Sequence, residues 1–310
     1  VLSSPPMQPS NVIWLDGELV PWEEAKVHVL SHALHYGSGV FEGIRAYATE
    51  NGPAVFRLKE HMDRLVRGCK AYGIGLEYSA DELCEITLEV MRANELPAAY
   101  VRPLVFLGLG SIGLNPAGAK VHTMIAAWEW GAYLGEDGVA NGIRGRFSSW
   151  RRIDQASLIP SAKGTGAYLN SILAKSEAVQ AGYDEAIMLN RDGYISEGSG
   201  ENVFVVNGGV VHTPPIADGC LEGITRDSVM HLLGDADIEV KEHSLTRASL
   251  YYADEVFLCG TAAEVTPLRE IDDKPIGDGK PGPITRMVQD AFGDLVRGRI
   301  DRYAHWLTHV

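Results

Sequence analysis

Apolar residues recur at helical spacing in some stretches of the chain and crowd into short unbroken runs in others, and these two patterns set the expected elements. Over residues 59–72, Met62, Leu65, Val66, Cys69 and Tyr72 mark one face of a helix. Ser79-Ala80-Asp81-Glu82 opens a second helix with a capping-box signature, and Leu83, Ile86, Val90 and Met91 follow on one side. Residues 168–181 and 223–233 also read as helical, as do 283–296, where Ile284, Met287, Val288, Ala291, Leu295 and Val296 form a stripe. Strands are predicted around 100–107, 121–128, 185–189, 193–197, 202–206 and 255–259, and residues 11–19 read as a hairpin turning at Asp16-Gly17. Many short strands without regular βαβ alternation predict an α/β protein of mixed, α+β character. Residues 129–141 carry Gly131, Gly135 and Gly138 and show no period, so 129–140 is expected to link a small domain at 1–128 to a larger one at 141–310.

Length supports that division, because 310 residues exceed what one hydrophobic core usually serves. With 45% apolar and 22% charged residues the composition is that of a globular chain. A net charge of −14 repels phosphate backbones and anionic lipid surfaces, which argues against nucleic acid and membrane as partners. No apolar run approaches the roughly 20 residues that cross a bilayer. The first six residues carry no basic region followed by an apolar core, so no secretory signal is expected there. Cys69, Cys84, Cys220 and Cys259 are scattered and form no Cys-x-x-Cys pair, which suits reduced cytoplasmic thiols and no metal cluster. The expectation is a cytoplasmic enzyme of small molecules.

Gly108-Leu109-Gly110-Ser111-Ile112-Gly113 matches G-x-G-x-x-G after a strand, but Leu114-Asn115-Pro116-Ala117-Gly118 follows where a dinucleotide site needs a helix. A nicotinamide dehydrogenase is therefore disfavoured, and the glycines are expected to let a loop approach a ligand. Other segments carry more chemistry. Lys163 lies among glycines and small residues in Ser161-Ala162-Lys163-Gly164-Thr165-Gly166, just before a predicted helix. A solvated loop lysine and an imine-forming one both fit that setting; the second needs a pocket that lowers the amine's pKa. Ile195-Ser196-Glu197-Gly198-Ser199-Gly200-Glu201 places two carboxylates near strand ends, and either Glu197 or Glu201 is suited to a cofactor's pyridine nitrogen. Glu222-Gly223-Ile224-Thr225-Arg226 precedes a helix, where exposed amides either bind an anion or are simply capped. Gly260-Thr261-Ala262 follows a buried strand with similar chemistry.

Taken in order, Tyr36-Gly37-Ser38-Gly39-Val40-Phe41-Glu42-Gly43-Ile44-Arg45, Lys163-Gly164, Ser196-Glu197-Gly198, Glu222-Gly223-Ile224-Thr225-Arg226 and Gly260-Thr261-Ala262 resemble the branched-chain amino-acid aminotransferases, pyridoxal 5'-phosphate enzymes of fold type IV. The likeness runs from about residue 12 to 298. It implies a small N-terminal α/β domain and a larger domain with a β-barrel-like core. It further implies transfer of the amino group of L-Leu, L-Ile or L-Val to 2-oxoglutarate by a ping-pong Schiff-base mechanism.

By that resemblance Lys163 forms the internal aldimine and then moves the proton between Cα and C4′. Glu197 pairs with the pyridine nitrogen, and Tyr168 hydrogen-bonds the phenolic oxygen. Arg64, Ile224, Thr225 and Thr261 hold the phosphate. The substrate pocket must take an aliphatic side chain and a second carboxylate in turn, which requires apolar walls and one cation. Tyr100 and Arg102 share a side of one strand and, with Tyr36, are implied to receive the distal carboxylate. Phe41, Gly43, Trp130 and Tyr133 are implied to line the wall, Arg45 to lie at the pocket's side, and Thr261 and Ala262 to hold the α-carboxylate. Leu114, in the loop 108–115, is implied to reach a partner subunit's site, so the expected assembly is a homodimer or larger. Related enzymes of the fold act on D-amino acids or (R)-amines, or cleave aminodeoxychorismate; the Tyr100-x-Arg102 pair and the Thr261-Ala262 turn favour the L-branched-chain reading. An acidic binding protein without catalysis is a further alternative.

Overall fold

The computed structural model describes residues 7–110, 112–131 and 135–310, which fall into two compact units. Among the described residues, the first holds Met7–Trp130 together with Ala162–Ala167 and Leu295–Val310; the second holds those of Gly131–Ser161 and Tyr168–Asp294. Two segments expected within 141–310 thus lie in the first unit. Strand pairing accounts for both: Val40 bridges Gly164, and the C-terminal strand Leu307–His309 pairs antiparallel with residues 54–56.

Seven further strands complete the sheet of the first unit: β1 (Val12–Leu15), β2 (Glu18–Pro21), β3 (Gly39–Phe41), β4 (Ile44–Thr49), β5 (Gly52–Phe56), β6 (Ala99–Leu107) and β7 (Val121–Trp128). The order runs from the C-terminal strand through β5, β4, β6, β7 and β1 to β2, and β3 adds to β6. Asp16 and Gly17 join β1 to β2 with φ of 51° and 104°, the paired positive values of a tight hairpin turn. After the short helix α1 (His32–Tyr36), helices α2 (Leu58–Ala71) and α3 (Ala80–Ala93) bury Met62, Leu65, Leu83 and Val90 in one core with Val40, Ile44, Val101 and Ile125 of the sheet. The capping box is formed: Glu82 N donates to Ser79 Oγ at 3.2 Å, and Ser79 N donates to Glu82 Oε2 at 2.8 Å.

A nine-stranded sheet forms the second unit: β8 (Ile143–Phe147), β9 (Glu185–Leu189), β10 (Ile195–Gly198), β11 (Asn202–Asn207), β12 (Val210–Thr213), β13 (Val240–Glu242), β14 (Glu255–Gly260), β15 (Glu264–Ile271) and β16 (Lys274–Pro275). Its order is β10-β9-β8-β15-β14-β11-β12-β13, with β16 on β15; β8 runs parallel to β9 and β15, and β12 parallel to β13. Strands β9, β11 and β14 are buried almost end to end, hence their unbroken apolar runs. The helices are α4 (Gly135–Asn141), α5 (Tyr168–Gln180), α6 (Ile224–Asp235), α7 (Arg247–Tyr251) and α8 (Pro283–Val296).

Helix α4 lies in the stretch read from sequence as a linker. Gly135 and Gly138 suppress its intrinsic helicity, so periodicity gives no signal. It is held from outside: Arg286 Nη2 and Gln289 Nε2 of α8 donate to the carbonyls of Ala140 and Val139 at 2.7 and 2.9 Å. Among the described residues, no helix is long and apolar enough to cross a membrane.

Candidate active site

Phe41, at the end of β3, organises the first unit's set of predicted residues. The Lys163 ammonium lies 5.2 Å from the centre of its ring and the Arg102 guanidinium 4.8 Å from it, so one aromatic ring serves two cations. Arg102 Nη2 donates to Tyr100 Oη at 3.0 Å, as expected for alternate residues on one face of β6. Tyr100 meets the edge of Trp130 at 4.4 Å between centroids, and Arg45 Nη2 donates to the Trp130 carbonyl at 3.2 Å. Gly43 belongs to the same cluster because a Cβ there would sit 2.1 Å from Tyr100 Oη. Tyr133 lies outside the described residues.

Lys163 has φ of 48°, a left-handed conformation that costs a lysine about 1–2 kcal/mol. Its surroundings impose it: Phe41 N donates to the Lys163 carbonyl at 3.3 Å, Gly164 bridges Val40, and Thr165 Oγ1 donates to the Gly37 carbonyl at 2.7 Å. A strained conformation imposed on a lysine by its surroundings makes Lys163 a candidate functional residue.

Arg64 is buried and points into the unit. Its Nε and Nη2 donate to the two carboxylate oxygens of Glu42 at 2.6 and 2.8 Å, and His61 Nδ1 lies 2.7 Å from Glu42 Oε2. Although burial favours the protonated acid, Arg64 and His61 hold Glu42 well below the usual carboxylate range. Burial pushes His61 below the ordinary imidazole range, against the pull of Glu42.

Among the described residues the loop after β6 holds no helix and runs into the antiparallel strand β7, so the glycine motif at 108–113 lacks the helix a dinucleotide site needs. Helix α1 ties the loop down: Tyr36 Oη donates to the Ile112 carbonyl at 2.8 Å, and His32 Nε2 lies 3.0 Å from the Gly113 carbonyl. Leu114 is left 85% exposed.

The second unit carries the rest. Glu197 Oε1 lies 2.7 Å from Arg152 Nε, and its Oε2 accepts from Leu221 N at 2.9 Å. The Arg152 N–H is not aimed along that line, so the contact is an ion pair more than an aligned hydrogen bond. Leu221 leads into α6, whose first turn, with Ile224 and Thr225, is buried; its N-cap is Gly223, which offers no side chain to the orphan amides. Asn202 Nδ2 donates to the Leu221 carbonyl at 3.0 Å and Asn202 pairs with Cys259, so the turn bearing Thr261 and Ala262 begins beside the same group. Tyr168 is the first residue of α5. The two carboxylates left open by the sequence differ in setting: Glu197 has a buried cation, whereas burial and the charge of Glu185 push Glu201 up to about 8.

The sequence profile of class IV amino-transferases matches residues 39–271. The chain belongs to the class IV aminotransferase family. It is 49% identical to the branched-chain-amino-acid aminotransferase of Pseudomonas aeruginosa over 97% of both chains. The crystal structure of the Escherichia coli branched-chain amino acid aminotransferase superposes with a TM-score of 0.95 at 49% identity, over 97% of this chain and 99% of that one. The branched-chain amino acid aminotransferase of Thermobaculum terrenum, solved in its PLP form, gives 0.91 at 37% identity, over 97% and 98%.

For a class IV aminotransferase the donor set fits pyridoxal phosphate. Glu197 is a buried carboxylate with a fixed cation, able to accept from a protonated ring nitrogen. The buried N-terminus of α6, capped by no side chain, suits a phosphate. Sequence reasoning did not single out Glu42, His61, Arg152 or Asn202. Glu42 stood inside a quoted motif, and His61 lies one helical turn before Arg64, a spacing that places both on one face. Arg152 gave no signal, since its partner is 45 positions away.

Proposed function

We propose that this class IV aminotransferase moves the amino group of L-Leu, L-Ile or L-Val to 2-oxoglutarate, using pyridoxal phosphate. The observation that carries this is the pair of cations on Phe41: an amine for transfer and a guanidinium for a distal carboxylate, set against an apolar wall. When bound, the cofactor supplies an aldehyde that condenses with amines and a ring that takes up the electron pair released at Cα. Lys163 Nζ would hold that aldehyde, and the same amine would carry the proton released at Cα. Glu197, with Arg152 behind it, keeps a proton on the ring nitrogen. Arg64, the Ile224 amide, Thr225 and Thr261 hold the phosphate, and Tyr168 orients the phenolic oxygen.

Arg102 resolves the dual-substrate problem. Burying the second carboxylate of glutamate without a partner would cost several kcal/mol; Arg102, steadied by Tyr100, receives it. Leucine leaves that cation on the aromatic faces of Phe41 and Tyr100, where it remains stabilised. Trp130, Gly43 and Arg45 complete the wall, Thr261 and Ala262 take the α-carboxylate, and Tyr36 and Leu114 act at the loop 108–115. The exposed Val29, Leu34, Leu109, Ile112 and Leu114 of the first unit support at least a homodimer. The four free cysteines suit the reducing cytoplasm.

Borohydride reduction of the protein loaded with pyridoxal phosphate, followed by peptide mapping, is expected to put the pyridoxyl mass on Lys163; a tag on another lysine, or none, overturns the assignment. Initial rates should favour L-leucine over D-alanine and (R)-1-phenylethylamine, and a dominant rate on either of the latter overturns the substrate class.

A further inference from the structure

Glu42 is the one residue of the Tyr36–Arg45 motif whose carboxylate is wholly enclosed, and it gathers two charged or titratable side chains around it. Arg64 meets both carboxylate oxygens, and His61, one helical turn earlier on α2, meets one of them. All three side chains are at least nine-tenths buried. A two-point carboxylate–guanidinium contact fixes the plane of the guanidinium as well as its place.

Glu42 is also tied to the segment that bears the amine. Its own amide donates to the Pro103 carbonyl on β6 at 2.9 Å, while the amide of the preceding residue, Phe41, holds the Lys163 carbonyl. Helix α2 closes on the same segment one turn beyond Arg64, where a Cβ on Gly68 would come within 2.6 Å of the Ala162 carbonyl. Arg64 and Lys163 are therefore set from one strand end, through neighbouring residues. The charges agree with that arrangement: the Lys163 cation is among the influences that disfavour a charged His61, and Glu42 is the anion that faces Arg64.

We infer that Glu42 is a positioning residue for the cofactor phosphate: its carboxylate orients Arg64 and supplies the counter-charge that lets this cation be buried in the same unit as Lys163. The inference rests on the reading of Arg64 as a phosphate ligand and Lys163 as the imine-forming amine. Its consequence is selective. Losing Glu42 should weaken an aldehyde that carries a phosphate and spare one that does not.

The test uses the full chain as wild type, Glu42→Gln, Arg64→Gln and the double variant, each stripped of cofactor and titrated with pyridoxal phosphate and with pyridoxal by visible absorbance. Glu42→Gln should weaken pyridoxal phosphate by about tenfold or more, as expected for a charge-assisted contact, and pyridoxal by less than about twofold. The double variant should bind pyridoxal phosphate no more weakly than Arg64→Gln alone, because Glu42 acts through Arg64. Equal losses for both aldehydes, no loss for either, or an additive double variant overturns the inference. Where Glu42→Gln, with an uncompensated buried cation, does not fold, Glu42→Asp, which keeps the charge but shortens the reach to Arg64, carries the same comparison of the two aldehydes. Failure of the underlying reading is separable: wild type would then form no imine at Lys163, whereas failure of this inference alone leaves that imine intact.

Discussion

Arg152 and Glu197 form a buried ion pair, Nε to Oε1 at 2.7 Å, between the segment before α5 and the end of β10. Replacing Arg152 with Met strands the carboxylate in a site from which water is largely excluded. Such a loss costs about 3–5 kcal/mol. Chemical denaturation should show a decrease of that order, and transamination should slow by about tenfold or more as the carboxylate loses its fixed orientation. Arg152→Lys should recover part of both. Wild-type stability and turnover in Arg152→Met would mean the pair is idle.

Gly43→Ala sets a methyl against the hydroxyl of Tyr100, which in turn receives Arg102. Tyr100 is buried against Trp128 and Trp130, so the ring must shift within packed surroundings and stability should fall by about 1–3 kcal/mol. The hydrogen bond to Arg102 is then lost. KM for 2-oxoglutarate should rise by about tenfold, while that for leucine changes by less than about threefold. Steady-state kinetics with each substrate varied in turn decides it; equal changes would remove Tyr100 and Arg102 from recognition of the second carboxylate.

Much of this was readable in the chain. The stripe from Ile284 to Val296 and the Ser79–Glu82 box predicted helices because each needs only neighbours a few residues apart. The strands β9, β11 and β14 were equally plain, being buried on both faces. What escaped depends on distant partners. Strand β15 carries Pro267 and Arg269 and is missing from the elements expected of the sequence, yet it pairs with β14 and β8. Arg64 is placed on α2 by helical spacing, but nothing near it in the sequence marks Glu42, 22 positions earlier, as the anion that neutralises it. The excursion of Ala162–Ala167 into the first unit leaves no periodic mark at all, since five small residues and Lys163 settle against α2 and β3 chiefly by backbone contacts.

Glu201 makes stability depend on pH in an unusual direction. Burial, and then the charge of Glu185, raises its folded-state pKa from 4.5 to about 8. Between those values the folded protein binds a proton that the unfolded chain releases, so the stabilisation present below pH 4.5 is lost as pH rises toward 8. Glu201→Gln mimics the protonated form and should flatten this decline. Denaturation at pH 5.5 and 8.5 should show wild type losing stability and the variant losing less; parallel losses would place the titration elsewhere.

The pairing of Leu307–His309 with β5 has a bearing on biogenesis. A ribosome delivers β5 some 250 residues before the strand that completes its ladder, so the N-terminal unit emerges with an open hydrogen-bonding edge that stays exposed for most of synthesis. Such an edge invites mispairing with neighbouring nascent chains. Slowed translation late in the message should therefore harm soluble yield more than the same delay placed early.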